Sequence, residues 1–431
     1  MPGIIFTRYD QSRVPADRPD QDRSVAGRPG SLDRRRFIGG ISALAATASV
    51  GFMRGQEVLA QGTPAVADAS GPVAALRALL QRLPASLTAD NAQAMQVYHA
   101  DLAAQFAACG VDRSASDWRT TTNLYSVTAS LALVSAGFQY GASDDFAQSF
   151  GFQPLDVDRA LEVGSPPNAL SVYQGGFERT ALEATWTQTG FKQVSLDGGL
   201  VLWTMGEEGE IDPSSPIVQF GAGAFNNLLL LDDHTLLVAR MGKVIRTVAA
   251  FASSADESAS MLGIAGIQEA TAALSPTVVS SIGLDGTLLT ASSRPGAAAT
   301  PVASGAMPAI SVAVFGIEAG ARGQIDATGA TPAAATAVDV EGASAKVEVR
   351  LVTGSKADAE EAAKVAASRW ETMQSQVTQQ PYSQLMTLSS AGVSEAEEVV
   401  AAIDFESGPM PGRWIQLVAM QDLAPFAPGG N

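Results

Sequence analysis

The segment Ala169–Thr204, ALSVYQGGFERTALEATWTQTGFKQVSLDGGLVLWT, sets the fold class. Its opening residues, Ala169–Tyr173, read as a strand. Glu178–Thr189 then carries helical spacing and stops at Gly190, the residue type that most readily takes a left-handed cap. Phe191–Leu196 and Leu200–Thr204 read as strands around Asp197-Gly198-Gly199, a hairpin turn. Strand, helix and hairpin in that order predict an antiparallel sheet with helices on one face, an α+β fold.

The same grammar continues toward the C-terminus. Leu228–Leu231 and Leu236–Arg240 flank a second turn, Asp232-Asp233-His234-Thr235, and Lys243–Ala252 is helical. Ala309–Ile317 is a strongly apolar strand, and Lys346–Thr353 alternates Val347, Val349 and Leu351 with polar residues, as a half-buried strand does. Ser355-Lys356-Ala357-Asp358 opens a helix with a capping box variant, and Ala362, Ala366, Trp370 and Met373 form its inner face. Val399–Phe405 is another strand and Trp414–Leu423 a closing amphipathic helix. This order echoes Ala169–Thr204 in outline, without self-similarity of residues.

Toward the N-terminus the pattern predicts helices. Pro72–Leu83 places Val73, Leu76, Leu79, Leu80 and Leu83 on one face, with Pro72 at the first turn and Pro84 as the stop. Asp90–Cys109 carries the stripe Met95, Tyr98, Leu102, Phe106 and Cys109, ended by Gly110. Leu124–Val134 and Asp156–Val163 also read as helices, the latter closed by Gly164. The expected organisation is a signal and n-region at 1–67, a helical subdomain at 68–164 and an α+β domain at 165–290. A linker at 291–308 and a smaller α+β domain at 309–431, with a mobile loop at 318–345, complete it. Both sheets are expected to be mainly antiparallel.

Charge narrows the function classes. The 431 residues carry a formal charge of −17. Nine Arg and six acids lie in 1–67, so the remainder holds 18 bases against 38 acids, a net −20. Nucleic acid and anionic lipid bind through clustered Lys and Arg, so neither is an expected partner. The single cysteine, Cys109, forms no internal disulfide and reads as a small apolar packing group.

Motifs for chemistry are sparse. There are two histidines: His99 is expected beside the apolar stripe of its helix, facing water, and His234 in a hairpin turn. Neither has a His or Cys neighbour at ligand spacing, which argues against a zinc, haem or iron–sulfur site, and no Gly-x-Ser-x-Gly elbow occurs. The acidic groups Asp144-Asp145, Asp156/Asp158 and Glu207–Asp212 do not follow the EF-hand spacing. Asp144-Asp145 suits a helix N-terminus and Glu207–Asp212 a solvated turn. Gly221-Ala222-Gly223-Ala224 lacks the Lys-Ser/Thr of a phosphate loop, and Gly175-Gly176 reads as a tight turn. Five Trp and six Tyr are few for a carbohydrate-active enzyme. No catalytic residue, metal ligand or cofactor is assigned from the sequence.

The clearest motif lies near the start. Asp33-Arg34-Arg35-Arg36-Phe37-Ile38-Gly39 resembles the twin-arginine (Tat) export signal: Arg34 and Arg35 take the paired positions, with Phe37 and Ile38 at the family spacing. Asp33 stands where Ser or Thr is commonest, and Gly39 where Lys is frequent. A moderately apolar run, Phe37–Met53, follows, on the short side for a bilayer span. Cleavage is expected after Ala60 or after Ala67. The resemblance implies passage through the Tat machinery in a folded state, a prokaryotic extracytoplasmic location and no permanent membrane span after processing. The expected function is an extracytoplasmic binding or scaffold module that engages a protein or envelope partner through a sheet edge or groove. The alternatives are a solute-binding receptor with an interdomain ligand site and a hydrolase using carboxylates such as Glu178, Glu183, Asp197 and Glu360.

Overall fold

A computed structural model describes residues 71–89, 96–108, 113, 144–221, 223–254, 257–291, 306–318, 346–407, 417–418 and 422–427. The signal residues Arg34, Arg35, Phe37 and Ile38, both cleavage positions, Cys109 and the Leu124–Val134 segment lie outside them. So do most of the 291–308 linker, nearly all of the 318–345 loop and most of Trp414–Leu423.

Twelve strands form one sheet in the order β11-β12-β10-β9-β8-β1-β2-β3-β7-β6-β5-β4, every neighbouring pair antiparallel. In chain order they are β1 Gln96–Asp101, β2 Val157–Val163, β3 Leu170–Gly175, β4 Lys192–Ser195, β5 Val201–Thr204 and β6 Asn227–Asp232. Then come β7 Thr235–Ala239, β8 Val278–Asp285, β9 Val312–Glu318, β10 Lys346–Val352, β11 Met386–Val393 and β12 Val400–Ser407. The α+β character and antiparallel pairing follow the sequence reading. The strands expected in two separate sheets belong to a single one, because β8 pairs with β9 across the expected linker.

Two segments read as helices are strands at the middle of this sheet. Among the described residues of Asp90–Cys109, Gln96–Asp101 is β1 and Leu102–Ala108 (α3) is helical. Asp156–Val163 gives β2, and Gly164 follows the strand with its amide on the Gln96 carbonyl at 2.8 Å. Both misreadings have one cause. Central strands covered on both faces lose the polar–apolar alternation, and the buried Val157, Ala160 and Leu161 happen to fall at helical spacing. His99 accordingly lies on β1, 1% exposed, and not on a wet helix face.

Helices cover both faces. On one lie α3, α4 (Asp144–Phe150), α5 (Arg179–Thr189), α8 (Gly286–Ala291), α9 (Lys356–Thr372) and α10 (Tyr382–Leu385). There two apolar cores sit side by side: one around Phe146, Phe150, Trp186 and Trp203, the other around Phe315, Trp370, Phe405 and Phe426. The opposite face carries α1 (Pro72–Gln81), the short α2 (Ser86–Ala89), α6 (Gly242–Ala252) and α7 (Ala265–Ala272) over a core of Leu76, Leu79, Leu161, Val172, Leu237, Ile245 and Val314. Gly190 takes φ 102° at the end of α5, as its sequence position predicts. Ser355 caps α9 by accepting from the Asp358 amide at 3.2 Å.

The connectivity repeats about the β1·β8 seam. Each side runs helix, strand, short helix, two further antiparallel strands, a long helix and a returning meander whose last strand joins the third. In the first half these are α1, β1, α3, β2, β3, α5 and β4–β7; in the second, α7, β8, α8, β9, β10, α9 and β11–β12. Because β1 and β8 are antiparallel, the two halves are related by an approximate two-fold normal to the sheet. The outline echo in the sequence is thus a repeat of topology.

Candidate functional site

The densest group of ionisable side chains among the described residues lies on β9, β10 and β12. Lys346, Glu348 and Arg350 alternate on β10 with Val347, Val349 and Leu351, which point into the core under α9. The sequence predicts that the polar set faces water. Glu348 and Arg350 are instead buried. Arg350 donates to the Ala273 carbonyl at 2.7 Å, to Asp404 Oδ1 at 2.8 Å and to Glu348 Oε2 at 2.7 Å. The Ser275 amide donates to Glu348 Oε2 at 3.0 Å. Lys346 Nζ stands 3.5 Å from Glu318, 3.6 Å from Glu348 and 3.9 Å from Asp404.

Burial pushes the Glu348 carboxyl up, and its hydrogen bond with Glu318 adds to that. Burial raises Glu318 too, but the Glu348 hydrogen bond, Ser275 and the Lys346 charge outweigh it and hold Glu318 low. Asp404 is likewise held low, since the Arg350 hydrogen bond and charge outweigh its burial. Below about pH 7 a proton therefore sits on Glu348. The cluster then balances two carboxylates against two cations, which is the condition for burying such a group without a large penalty. Its chemistry is to hold a proton and tie β10 to the end of α7.

The network belongs to a row that crosses the sheet. Leu229, Leu237, Val172, Leu161, His99, Ser281, Gly316, Glu348, Asp404 and Ser390 are successive register partners on one face. The row is apolar in the first half and becomes polar at His99. Both ring nitrogens of His99 lack a hydrogen-bond partner. Burial, with the Arg159 charge adding, lowers its pKa to about 3, so the ring is neutral.

Among the described residues, the polar end of the row lies on an edge strand of the sheet, β11. Ser390 Oγ donates to Asp404 Oδ2 and Ser389 Oγ to the Asp404 carbonyl, both at 2.9 Å. From the other face Trp370 Nε1 donates to the Met386 carbonyl at 3.2 Å, and its ring lies 4.3 Å from Phe405 and 5.1 Å from Tyr382. β11 is therefore held firmly, while Thr387, Ser389, Ser390 and Ala391 are exposed. Its eight residues, MTLSSAGV, contain no charge and no proline. Natural edges are normally guarded by short length, charge, proline, a bulge or a covering element; among the described residues this one has a single bulge, between Leu388 and Ser390. The opposite edge, β4, is four residues long and begins with Lys192.

The other residues singled out from the sequence are scattered. Glu178, Asp197 and Glu360 are exposed, and Glu183 is half-buried, 3.5 Å from Arg179. His234 lies in the exposed β6–β7 turn, as expected. Asp144-Asp145 begins α4. Glu208 accepts from the Lys243 amide at 2.9 Å at the start of α6, and Asp212 closes a turn onto Ser214. The Asp156 carbonyl would lie 2.0 Å from a Cβ at Gly175, so that glycine answers to close strand packing. Among the described residues no group of three or more His, Cys, Asp or Glu is placed to hold a metal, and no helix is long and apolar enough to cross a membrane. Sequence reasoning missed β11 and the buried ion cluster. The uncharged run at 386–393 was the available signal for the first.

No protein-family model and no curated protein sequence matches the chain. Among solved structures, crystal form I of TP0453 aligns with 8% identity over 78% of this chain and 97% of that chain, at a TM-score of 0.33. A likeness that distant carries no argument about fold or activity.

Proposed function

We propose that the chain is an exported, extracytoplasmic binding module that takes an extended segment of a partner protein along β11. The observation that carries this reading is the long, ordered, uncharged edge. Strand addition supplies main-chain hydrogen bonds for affinity and needs an edge that is not guarded. Export rests on the resemblance of Arg34, Arg35, Phe37 and Ile38 to a twin-arginine signal, with the Tat machinery as the first partner.

Two measurements test it. Replacing Arg34 and Arg35 together with Lys should leave the precursor in the cytoplasm; unchanged appearance outside the cell would remove the localisation. A photo-crosslinking amino acid at Ala391 should capture a partner that the same group at Lys192, on the opposite edge, does not. Equal capture at both edges, or none at Ala391, sinks the binding reading.

The receptor reading has one observation in its favour. Glu162 on β2 lies opposite Tyr98 on β1, on the face that carries the two side-by-side cores. Burial pushes its carboxyl up to about 7, and Tyr98 is raised by its own burial and by the Glu162 charge. An amine ligand there would raise the melting temperature of the parent chain and not of Glu162→Gln.

A further inference from the structure

Resting on the edge reading above, we infer that the segment accepted by β11 is basic at its N-terminal end. Direction comes first. All twelve strands of the sheet are antiparallel to their neighbours, so a thirteenth added on the same pattern runs opposite to β11. β11 runs from Met386 to Val393, and the chain then turns through Ser394–Val399 into β12. The guest strand therefore starts beside that turn and ends beside Met386.

Charge comes second. The turn carries Glu395, Glu397 and Glu398, with Glu395 and Glu398 exposed and Glu397 half-buried. None of the three appears in an ion pair among the described residues. At the other end, Glu406 is exposed opposite Thr387, one strand in from the edge. The charges described nearest the edge are acidic in the turn at the Val393 end, whereas at the other end Glu406 has Lys346 as its register partner on β10. Past the bulge, Ser390–Val393 pairs with β12 in regular register next to that turn. Gly392 meets no atom within 4 Å of a Cβ position, so a guest side chain can lie over it. Main-chain pairing holds the segment there, and Lys or Arg just ahead of it meets the three glutamates. A second copy of this chain is the poorer guest, since each copy carries a net charge of −17.

The test uses the full chain and fluorescent peptides read by anisotropy. One peptide places two Lys before a Thr/Val-alternating strand and the other places them after it. The first is expected to bind about tenfold more tightly, and to weaken as NaCl rises from about 0.05 to 0.5 M. Glu395→Lys, Glu397→Lys and Glu398→Lys combined should abolish the difference or reverse it. N-methylation of alternate peptide amides, in both phases, leaves the protein untouched and should remove binding. Binding that survives N-methylation, or no binding by either peptide, overturns the edge reading itself. Binding that needs the amides but ignores Lys placement or the charge reversal overturns only the basic-guest inference. A dimer by light scattering that the peptides disperse assigns the edge to a second copy and also overturns it.

Discussion

At the scale of single residues, two buried groups set opposite pH dependences. His99 is neutral in the fold with a pKa of about 3, against 6.5 when exposed. The folded state therefore binds fewer protons, and stability is lost as the pH falls below the unfolded value. The arithmetic gives about 2–3 kcal/mol between pH 7 and pH 4.5. Urea titrations of His99→Leu should show that much less acid sensitivity than the parent; parallel profiles would place the ring in water. Glu348 has the opposite sign. Its folded pKa is raised, so its contribution is present below the unfolded value and is lost as the pH rises through about 7. Glu348→Gln should thus gain stability relative to the parent from pH 5 to pH 8, and a pH-independent difference would mean that no proton is held there. Neither environment was legible in the sequence. Polar letters on a strand mark a wet face or a buried network equally well, and only the covering elements, here α7 and the strands beside β10, distinguish them.

At the scale of elements, legibility followed local chemistry. α1, α5 and α9 were readable because capping and breaking residues mark them: Pro72, Gly190 and Ser355 act through the backbone of their own turn. The Ser355 cap should be worth about 1 kcal/mol. Ser355→Ala should lower the melting temperature accordingly, and an unchanged melting curve would mean that Asp358 holds the helix start alone. Hairpins β4–β5 and β6–β7 were readable from their turns. β1 and β2 were not, since a strand with both faces covered carries no alternation to read. β11 and β8 were missed for different reasons. Small residues in the first make it bland, and the second is buried on both faces from Val278 to Leu284.

At the scale of the molecule, one sheet joins what the composition divides. The Ser/Ala/Pro/Gly-rich stretch at 291–308 suggests a boundary between domains, yet β8 before it and β9 after it are hydrogen-bonded neighbours. Unfolding of the body should therefore be a single calorimetric transition with matching van't Hoff and calorimetric enthalpies. Two resolved transitions would show that the halves melt separately.

The seam where β1 meets β8 also makes the chain divisible. A polypeptide ending at residue 254 would bare β1, and one beginning at residue 257 would bare β8, each carrying its own flanking helices. Produced together, the fragments are templates for one another and should reassemble without a covalent link. Produced singly, each offers its orphaned margin to its own twin, and the result should be look-alike dimers of one kind.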